Sequence, residues 1–226
     1  MSKGIFITAT GTDVGKTYIT ALLVKKMRQY GYAAGYYKAA LSGAEVTDTG
    51  LIPGDAAYVA ATAGLEDSPA SLVSYIYKEA VSPHLAAQHE GNPIDMKKIV
   101  ADYATSLQKF SHVFVEGSGG IICPIRWDSE KILLEDIILK LQLETLVVSN
   151  AALGSINACA LTVNYLQQKN ISVRGIILNN YDDADTMQRN NKEMMEQLCR
   201  VPVIACVASG TDDIELTAEA LTKLFD

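Results

Sequence analysis

Apolar residues fall into short continuous runs at Gly4-Ile5-Phe6-Ile7, Gly35-Tyr36-Tyr37-Lys38, Leu72 to Tyr77, His112-Val113-Phe114-Val115, Thr145-Leu146-Val147-Val148, Val173 to Leu178 and Val203 to Val207. Runs this apolar and this short predict strands covered on both faces. Between them the spacing changes to three or four residues, which predicts helices over Tyr18 to Tyr30, Leu133 to Leu141, Ile156 to Gln168 and Leu216 to Phe225, and another through Met194, Met195 and Leu198. Pro53-Gly54-Asp55 opens an alanine-rich helix, and Ser82-Pro83-His84 is a loop entering a small helical turn. Asn92-Pro93-Ile94-Asp95 carries an N-cap and a proline at the first helical position, followed by Met96, Ile99, Val100, Tyr103 and Leu107 at helical spacing. Ala39 to Gly54 is turn-rich. Strands alternating with helices predict an α/β fold, a mostly parallel β-sheet flanked by helices on both faces, with ligands at the carboxyl ends of the strands. With no internal repeat, low-complexity tract or linker, residues 1–226 are expected to form a single domain.

Composition narrows the partners. A chain of 226 residues, 49% hydrophobic, can bury a full core. Its net charge of −7 and lack of a lysine-arginine cluster argue against nucleic acid and against a membrane surface. The long apolar stretch Thr145 to Val163 is broken by Asn150, Gly154 and Asn157, which suits a buried strand, loop and helix and no membrane span. Cys123, Cys159, Cys199 and Cys206 lie far apart, so reduced thiols and a cytoplasmic location are expected. The apolar run after Lys3 turns into a glycine-containing loop too soon for a signal peptide.

That loop carries the first candidate chemistry. Thr8-Ala9-Thr10-Gly11-Thr12-Asp13-Val14-Gly15-Lys16-Thr17 lies between a predicted strand and a predicted helix. A nucleotide phosphate needs backbone N–H groups from a tight turn, the positive end of a helix and a lysine that reaches the β- and γ-oxygens, which Gly15, Lys16 and Thr17 supply. The Thr17 hydroxyl in the first helical turn is a candidate magnesium ligand. The common pattern G-x-x-x-x-G-K-[ST] has glycine where this chain has Thr10, and Gly11 follows one place later, so the loop is a P-loop variant.

Other polar residues stand at predicted strand ends. Lys38 points into the ligand crevice or is an ordinary edge lysine. Asp55 complements its helix dipole. Glu116, delivered by a wholly apolar strand before Gly117-Ser118-Gly119-Gly120, is either a metal-side carboxylate or a cap on the glycine turn. The N–H groups opening the helix at Ile156 suit an anion.

Taken together, Thr8 to Thr17, Tyr37-Lys38 with Ser42-Gly43, Gly54-Asp55, Ser82-Pro83-His84, Glu116-Gly117-Ser118-Gly119-Gly120 and Gly154-Ser155-Ile156-Asn157 resemble dethiobiotin synthetases, P-loop NTPase-like enzymes of biotin synthesis. The resemblance runs along essentially the whole chain. It implies a magnesium- and ATP-dependent enzyme, a homodimer, that closes the ureido ring of dethiobiotin from 7,8-diaminononanoate and carbon dioxide or bicarbonate. The path it implies is an amine captured as a carbamate, a carbamic-phosphoric anhydride, and attack by the second amine. Carried over by residue, it makes Asp13, Val14, Gly15, Lys16 and Thr17 the triphosphate loop, with Tyr18, Gly117, Ser118, Gly119, Asn179 and Asn180 further nucleotide contacts. Thr17, Asp55 and Glu116 become magnesium-side ligands. Lys16 and Lys38 are then the catalytic cations, and Lys38 with Ser42 meets the reacting end of the diamine. Gly154, Ser155, Ile156 and Asn157 would hold the substrate carboxylate across a dimer interface.

The chain departs from the family pattern at Ala39, where proline is frequent, at Asn191, where a tyrosine lies near the substrate tail, and at Val207-Ala208, where Ile-Pro lies beside adenine. A different class, the nucleotide-switched positioning or partition ATPases, shares the P-loop but carries a lysine at the place of Gly11.

Overall fold

The computed structural model describes residues 3–48 and 50–226. In chain order the strands are β1 (Lys3–Ala9), β2 (Ala34–Leu41), β3 (Glu45–Thr47), β4 (Gly50–Ile52), β5 (Val73–Ile76), β6 (His112–Glu116), β7 (Pro124–Trp127), β8 (Lys131–Leu133), β9 (Glu144–Ser149), β10 (Val173–Asn179) and β11 (Val203–Val207). The helices are α1 (Lys16–Gln29), α2 (Gly54–Ala63), α3 (Pro83–His89), α4 (Met96–Lys109), α5 (Leu134–Leu141), α6 (Ser155–Gln168), α7 (Thr186–Cys199) and α8 (Ala218–Lys223). Seven strands form one sheet in the order β11-β10-β9-β1-β6-β2-β5, and each neighbouring pair is parallel. The order reverses direction around β1, so the crevice beyond the carboxyl ends of β1 and its neighbours is where an open α/β sheet takes its ligand.

The apolar runs become interior strands because both faces are covered. Ile5, Phe6 and Ile7 of β1 and Val113, Phe114 and Val115 of β6 are buried, and α1 adds Ile19, Leu22, Leu23 and Met27 from one face. Each large side chain so buried contributes roughly 1.5–3 kcal/mol relative to exposure. Close packing also fixes small residues. A Cβ on Gly35, in the interior strand β2, would stand 2.2 Å from the Phe110 ring. Gly35→Ala should therefore cost about 1–3 kcal/mol through overpacking, seen as a lower urea midpoint with an unchanged slope.

The structure differs from the sequence pattern at four places. The segment from Ala39 to Gly54 is not all turn, since β2 runs on to Leu41 and β3 and β4 form an antiparallel hairpin. Strands of three residues leave too short a pattern to read. The cap of α4 is Asp95, which accepts a hydrogen bond from the Lys97 N–H at 2.8 Å, and Asn92-Pro93 lies before the helix. A second small hairpin, β7 with β8, fills the stretch after Gly120. The last helix is also shorter than its apolar pattern, spanning Ala218–Lys223 with Thr217 as its cap. Of the three residues that marked the helix now seen as α7, Met195 is buried while Leu198 is exposed.

Candidate active site

The turn from β1 into α1 places the P-loop at the centre of the sheet. Asp13 and Gly15 both have positive φ, 60° and 92°, and Gly15 caps α1 with no side-chain hydrogen bond to the first turn. Gly15 has a second reason to lack a side chain. A Cβ there would meet the Asn179 amide nitrogen at 2.1 Å, because Asn179 Nδ2 donates to the Val14 carbonyl at 3.0 Å and so pins the loop from β10. Gly11 is different: nothing lies within 4 Å of its Cβ position, so packing does not forbid a lysine there and its absence is a property of the sequence alone.

Register brings the remaining charges to this loop. Lys38 of β2 and Glu116 of β6 are paired across parallel strands, so their side chains lie on one face. Lys38 Nζ donates to Glu116 Oε1 at 2.8 Å, to Asp55 Oδ2 at 2.7 Å and to the Gly117 carbonyl at 3.2 Å. At 3% exposure on an interior strand, Lys38 is no solvated edge lysine. The Thr17 hydroxyl donates to the same Glu116 Oε1 at 2.8 Å, and the Tyr36 hydroxyl donates to Oε2 at 3.0 Å. The Ser118 hydroxyl donates to the Ala40 carbonyl, tying the glycine turn to β2. Thr12, Asp13, Gly15, Lys16, Thr17, Lys38, Ser42, Asp55, Glu116, Ser118 and Gly119 line one cleft of about 370 Å³.

The charges perturb one another in opposite directions. Burial lowers the Lys38 pKa, but the Glu116 and Asp55 carboxylates outweigh it and hold the ammonium above its ordinary range. Burial raises Asp55 and the Lys38 charge and hydrogen bond more than reverse this, leaving the carboxyl below its usual value. Lys16 is lowered, first by burial and then by Lys38. An anionic ligand would raise Lys16 again, so binding a triphosphate takes up protons at alkaline pH. Nucleotide affinity should thus fall as pH rises through the lowered Lys16 value. Calorimetry in alkaline buffers of different ionisation enthalpy should register this uptake, and Lys16→Met should abolish it. Cys123, beside both lysines, is pushed up to about 11 by burial and stays a neutral thiol.

Oxygen donors only, from Thr17, Asp55 and Glu116, suit a hard cation such as magnesium. Among the described residues no group of three or more His, Cys, Asp or Glu side chains could hold a metal ion. Lys16 and Lys38 already balance Asp55 and Glu116, so a triphosphate would bring uncompensated charge, and an ion shared between phosphate oxygens and these side chains fits the set.

Other expected residues lie elsewhere. Asn179 is buried, and its Oδ1 has no hydrogen-bond partner. Asn180, with Tyr181, Asp182, Asp183, Lys192, Cys206, Ala208, Ser209 and Glu215, lines a second cleft of about 600 Å³ at the ends of β10 and β11. Tyr181, Asp182, Asp183, Lys192, Ser209 and Glu215 carry no motif in the sequence and meet only through the topology. Tyr18 does not line the first cleft; its hydroxyl donates to the Thr211 carbonyl and fastens α1 to the segment after β11. Gly154, Ser155, Ile156 and Asn157 start α6 outside both clefts. Ser155 is committed to its own turn, its hydroxyl donating to the Ala152 carbonyl at 2.6 Å, whereas Asn157 is exposed. Asn191 of α7 is buried and donates to the carbonyls of Ala151 and Ala152 at 2.8 and 3.3 Å, so it anchors the loop before Gly154.

A protein-family profile described as an AAA domain matches residues 3–212. Among solved structures, a ParA family ATPase from Chlorobium tepidum TLS is similar with a TM-score of 0.58 and 14% identity, over 94% of this chain and 87% of that one. The septum site-determining protein MinD complexed with Mg-ADP from Pyrococcus horikoshii OT3 also gives 0.58, at 16% identity over 99% and 94%. These likenesses establish the P-loop fold. Sequence relatives are far closer. An ATP-dependent dethiobiotin synthetase BioD from Clostridium botulinum (strain Eklund 17B / Type B) is 49% identical, covering 100% of this chain and 99% of its own. Another of that name from Brachyspira hyodysenteriae (strain ATCC 49526 / WA1) is 48% identical with complete coverage of both chains. On identity sustained along its entire length, the chain belongs to the ATP-dependent dethiobiotin synthetase family.

Proposed function

We propose that this protein is an ATP-dependent cyclo-ligase that makes dethiobiotin from 7,8-diaminononanoate and carbon dioxide with magnesium, and that it works in the cytoplasm as a homodimer. The observation that carries the site assignment is the convergence of Lys16, Lys38, Thr17, Asp55 and Glu116 on one cleft at the end of β1. Backbone N–H groups from Asp13 to Thr17 take the β- and γ-phosphates, and Lys16 neutralises the γ-oxygens as charge redistributes. Thr17, Asp55 and Glu116 would hold magnesium, which supplies charge neutralisation between phosphate oxygens when bound.

On the diamine side, Lys38 offers its ammonium to the carbamate and Ser42 a hydroxyl. A carbamate oxygen attacks the γ-phosphorus and ADP leaves with the electrons of the broken bond. The second amine then attacks the carbonyl carbon of the anhydride, phosphate departs, and the amine proton goes to phosphate or water. Charge builds on oxygens throughout, so fixed cations serve the path and a base of unusual pKa is not required. The adenine role of Asn179 rests on the family resemblance, since its amide is buried, holds the Val14 carbonyl and lines neither cleft.

The homodimer reading rests on α6. Its opening residues lie outside the clefts of their own chain, and Leu153 and Leu161 beside them are 90% and 61% exposed. A second chain would cover these leucines and take up the anion-binding end of α6. Among the described residues no helix is long and apolar enough to cross a membrane. The test is which molecule accelerates phosphate release from ATP. The diamine with bicarbonate should do so strongly, and acceleration by DNA or a protein partner in its place would sink the assignment.

A further inference from the structure

Tyr36 plays no part in the mechanism above, yet it is fully buried and its phenol meets the interior oxygen of a candidate metal ligand. We propose that Tyr36 is a positioning residue that holds Glu116 to one-oxygen coordination and thereby sets the preference of the site for a small divalent cation over a large one. The inference rests on the reading of Glu116 as a metal-side ligand.

The two oxygens of Glu116 have separate surroundings. Oε1 receives the hydroxyl of Thr17 and the ammonium of Lys38, both at 2.8 Å, and belongs to the cleft. Oε2 receives the Tyr36 hydroxyl at 3.0 Å. Tyr36 precedes Lys38 by two residues, so both side chains leave β2 on the same face, and Tyr36 pairs in register with Phe114, deeper in the sheet than Glu116. The phenol therefore approaches from the interior while the cleft is on the other side of the carboxylate. A carboxylate with its second oxygen engaged in this way offers one oxygen to an ion. Magnesium, with near-octahedral geometry at about 2.0–2.1 Å, accepts that arrangement, whereas calcium takes more ligands at roughly 2.3–2.6 Å and readily uses both oxygens.

The neighbouring tyrosine provides the control. Tyr37 is also buried, but its hydroxyl lies on the opposite face, 2.7 Å from Ser74 Oγ and 3.1 Å from the Ile99 carbonyl. Tyr37→Phe thus removes a comparable interior hydrogen bond without touching Glu116. The experiment titrates magnesium or calcium into full-length protein holding a fluorescent ADP, and reads the apparent affinity of each ion with no turnover. Tyr36→Phe should lower the magnesium-to-calcium affinity ratio by about 10-fold, the scale of lost outer-shell contacts, and Tyr37→Phe should leave it unchanged. Should Tyr36→Phe not fold, carboxylate infrared bands of the magnesium-loaded wild type, assigned by their loss in Glu116→Gln, take its place. A wide splitting indicates one-oxygen coordination and supports the proposal; a narrow one indicates two-oxygen coordination and overturns it. An unchanged ratio in Tyr36→Phe while Glu116→Gln weakens both ions overturns the role of Tyr36 alone, as does an equal shift in Tyr37→Phe. If Glu116→Gln alters neither affinity, the metal-ligand reading fails and the inference fails with it.

Discussion

Replacing Lys16 by alanine should reduce dethiobiotin formation by on the order of 10²-fold or more, the scale of a lost transition-state electrostatic contact. Lys16 opens α1 at the P-loop, is 9% exposed, and lines the cleft between the loop and Glu116. In the resting protein its ammonium is disfavoured by burial and by Lys38, and Glu116 and Asp55 only partly offset this, so phosphate oxygens beside Lys16 would favour its charged form. The loss should appear chiefly in turnover, because charge on the γ-oxygens is redistributed in the transition state while the backbone N–H groups continue to bind the ground state. Steady-state rates with saturating ATP and diamine check this, and turnover like that of the unaltered protein would contradict it.

Lys38→Gln should cut ring closure by a similar factor and leave nucleotide affinity within a few fold. The structure adds a consequence for stability. Lys38 satisfies buried Glu116 and half-buried Asp55 together, and removing one partner of such a cluster costs about 3 kcal/mol or more. A divalent ion arriving with the nucleotide would neutralise the same two carboxylates. The variant should consequently melt lower than the parent when free and recover most of the difference with magnesium and ADP. The pH dependence has a definite sign. Asp55 has a depressed pKa, so its contribution is complete above the ordinary carboxylate value and lost as pH falls through the lowered one; Lys38, with a raised pKa, contributes until pH climbs through its raised value. Thermal melts and ATP binding on one preparation separate these effects, and an equal loss of affinity and ring closure would move Lys38 to the nucleotide side.

The legible part of the sequence was the part governed by periodicity and by one motif. Interior strands such as Ile5-Phe6-Ile7 and Val113-Phe114-Val115 announce themselves because a strand buried on both faces has no polar positions to interrupt it. The hairpins at Glu45–Ile52 and Pro124–Leu133 did not, since strands of three or four residues lack a pattern long enough to distinguish them from turns. Within the site, Lys16 and Thr17 were fixed by the spacing of the P-loop. Lys38 and Asp55 are ambiguous one at a time: the register of β2 against β6 brings Lys38 to Glu116, and the first turn of α2, distant in sequence from both strand ends, adds Asp55. Tyr36 passed as a strand residue because nothing local distinguishes a tyrosine packed in a core from one that orients a carboxylate.

Ring closure driven by phosphoryl transfer in the P-loop cleft can be followed by mass spectrometry with labelled bicarbonate. Incubated with ATP, magnesium, 7,8-diaminononanoate and ¹³C-bicarbonate, the protein should produce dethiobiotin carrying one labelled carbon, with ADP and phosphate formed in equal amount. Release of phosphate at a rate indifferent to the diamine, without labelled product, would mean that the cleft does not couple ATP to ring closure.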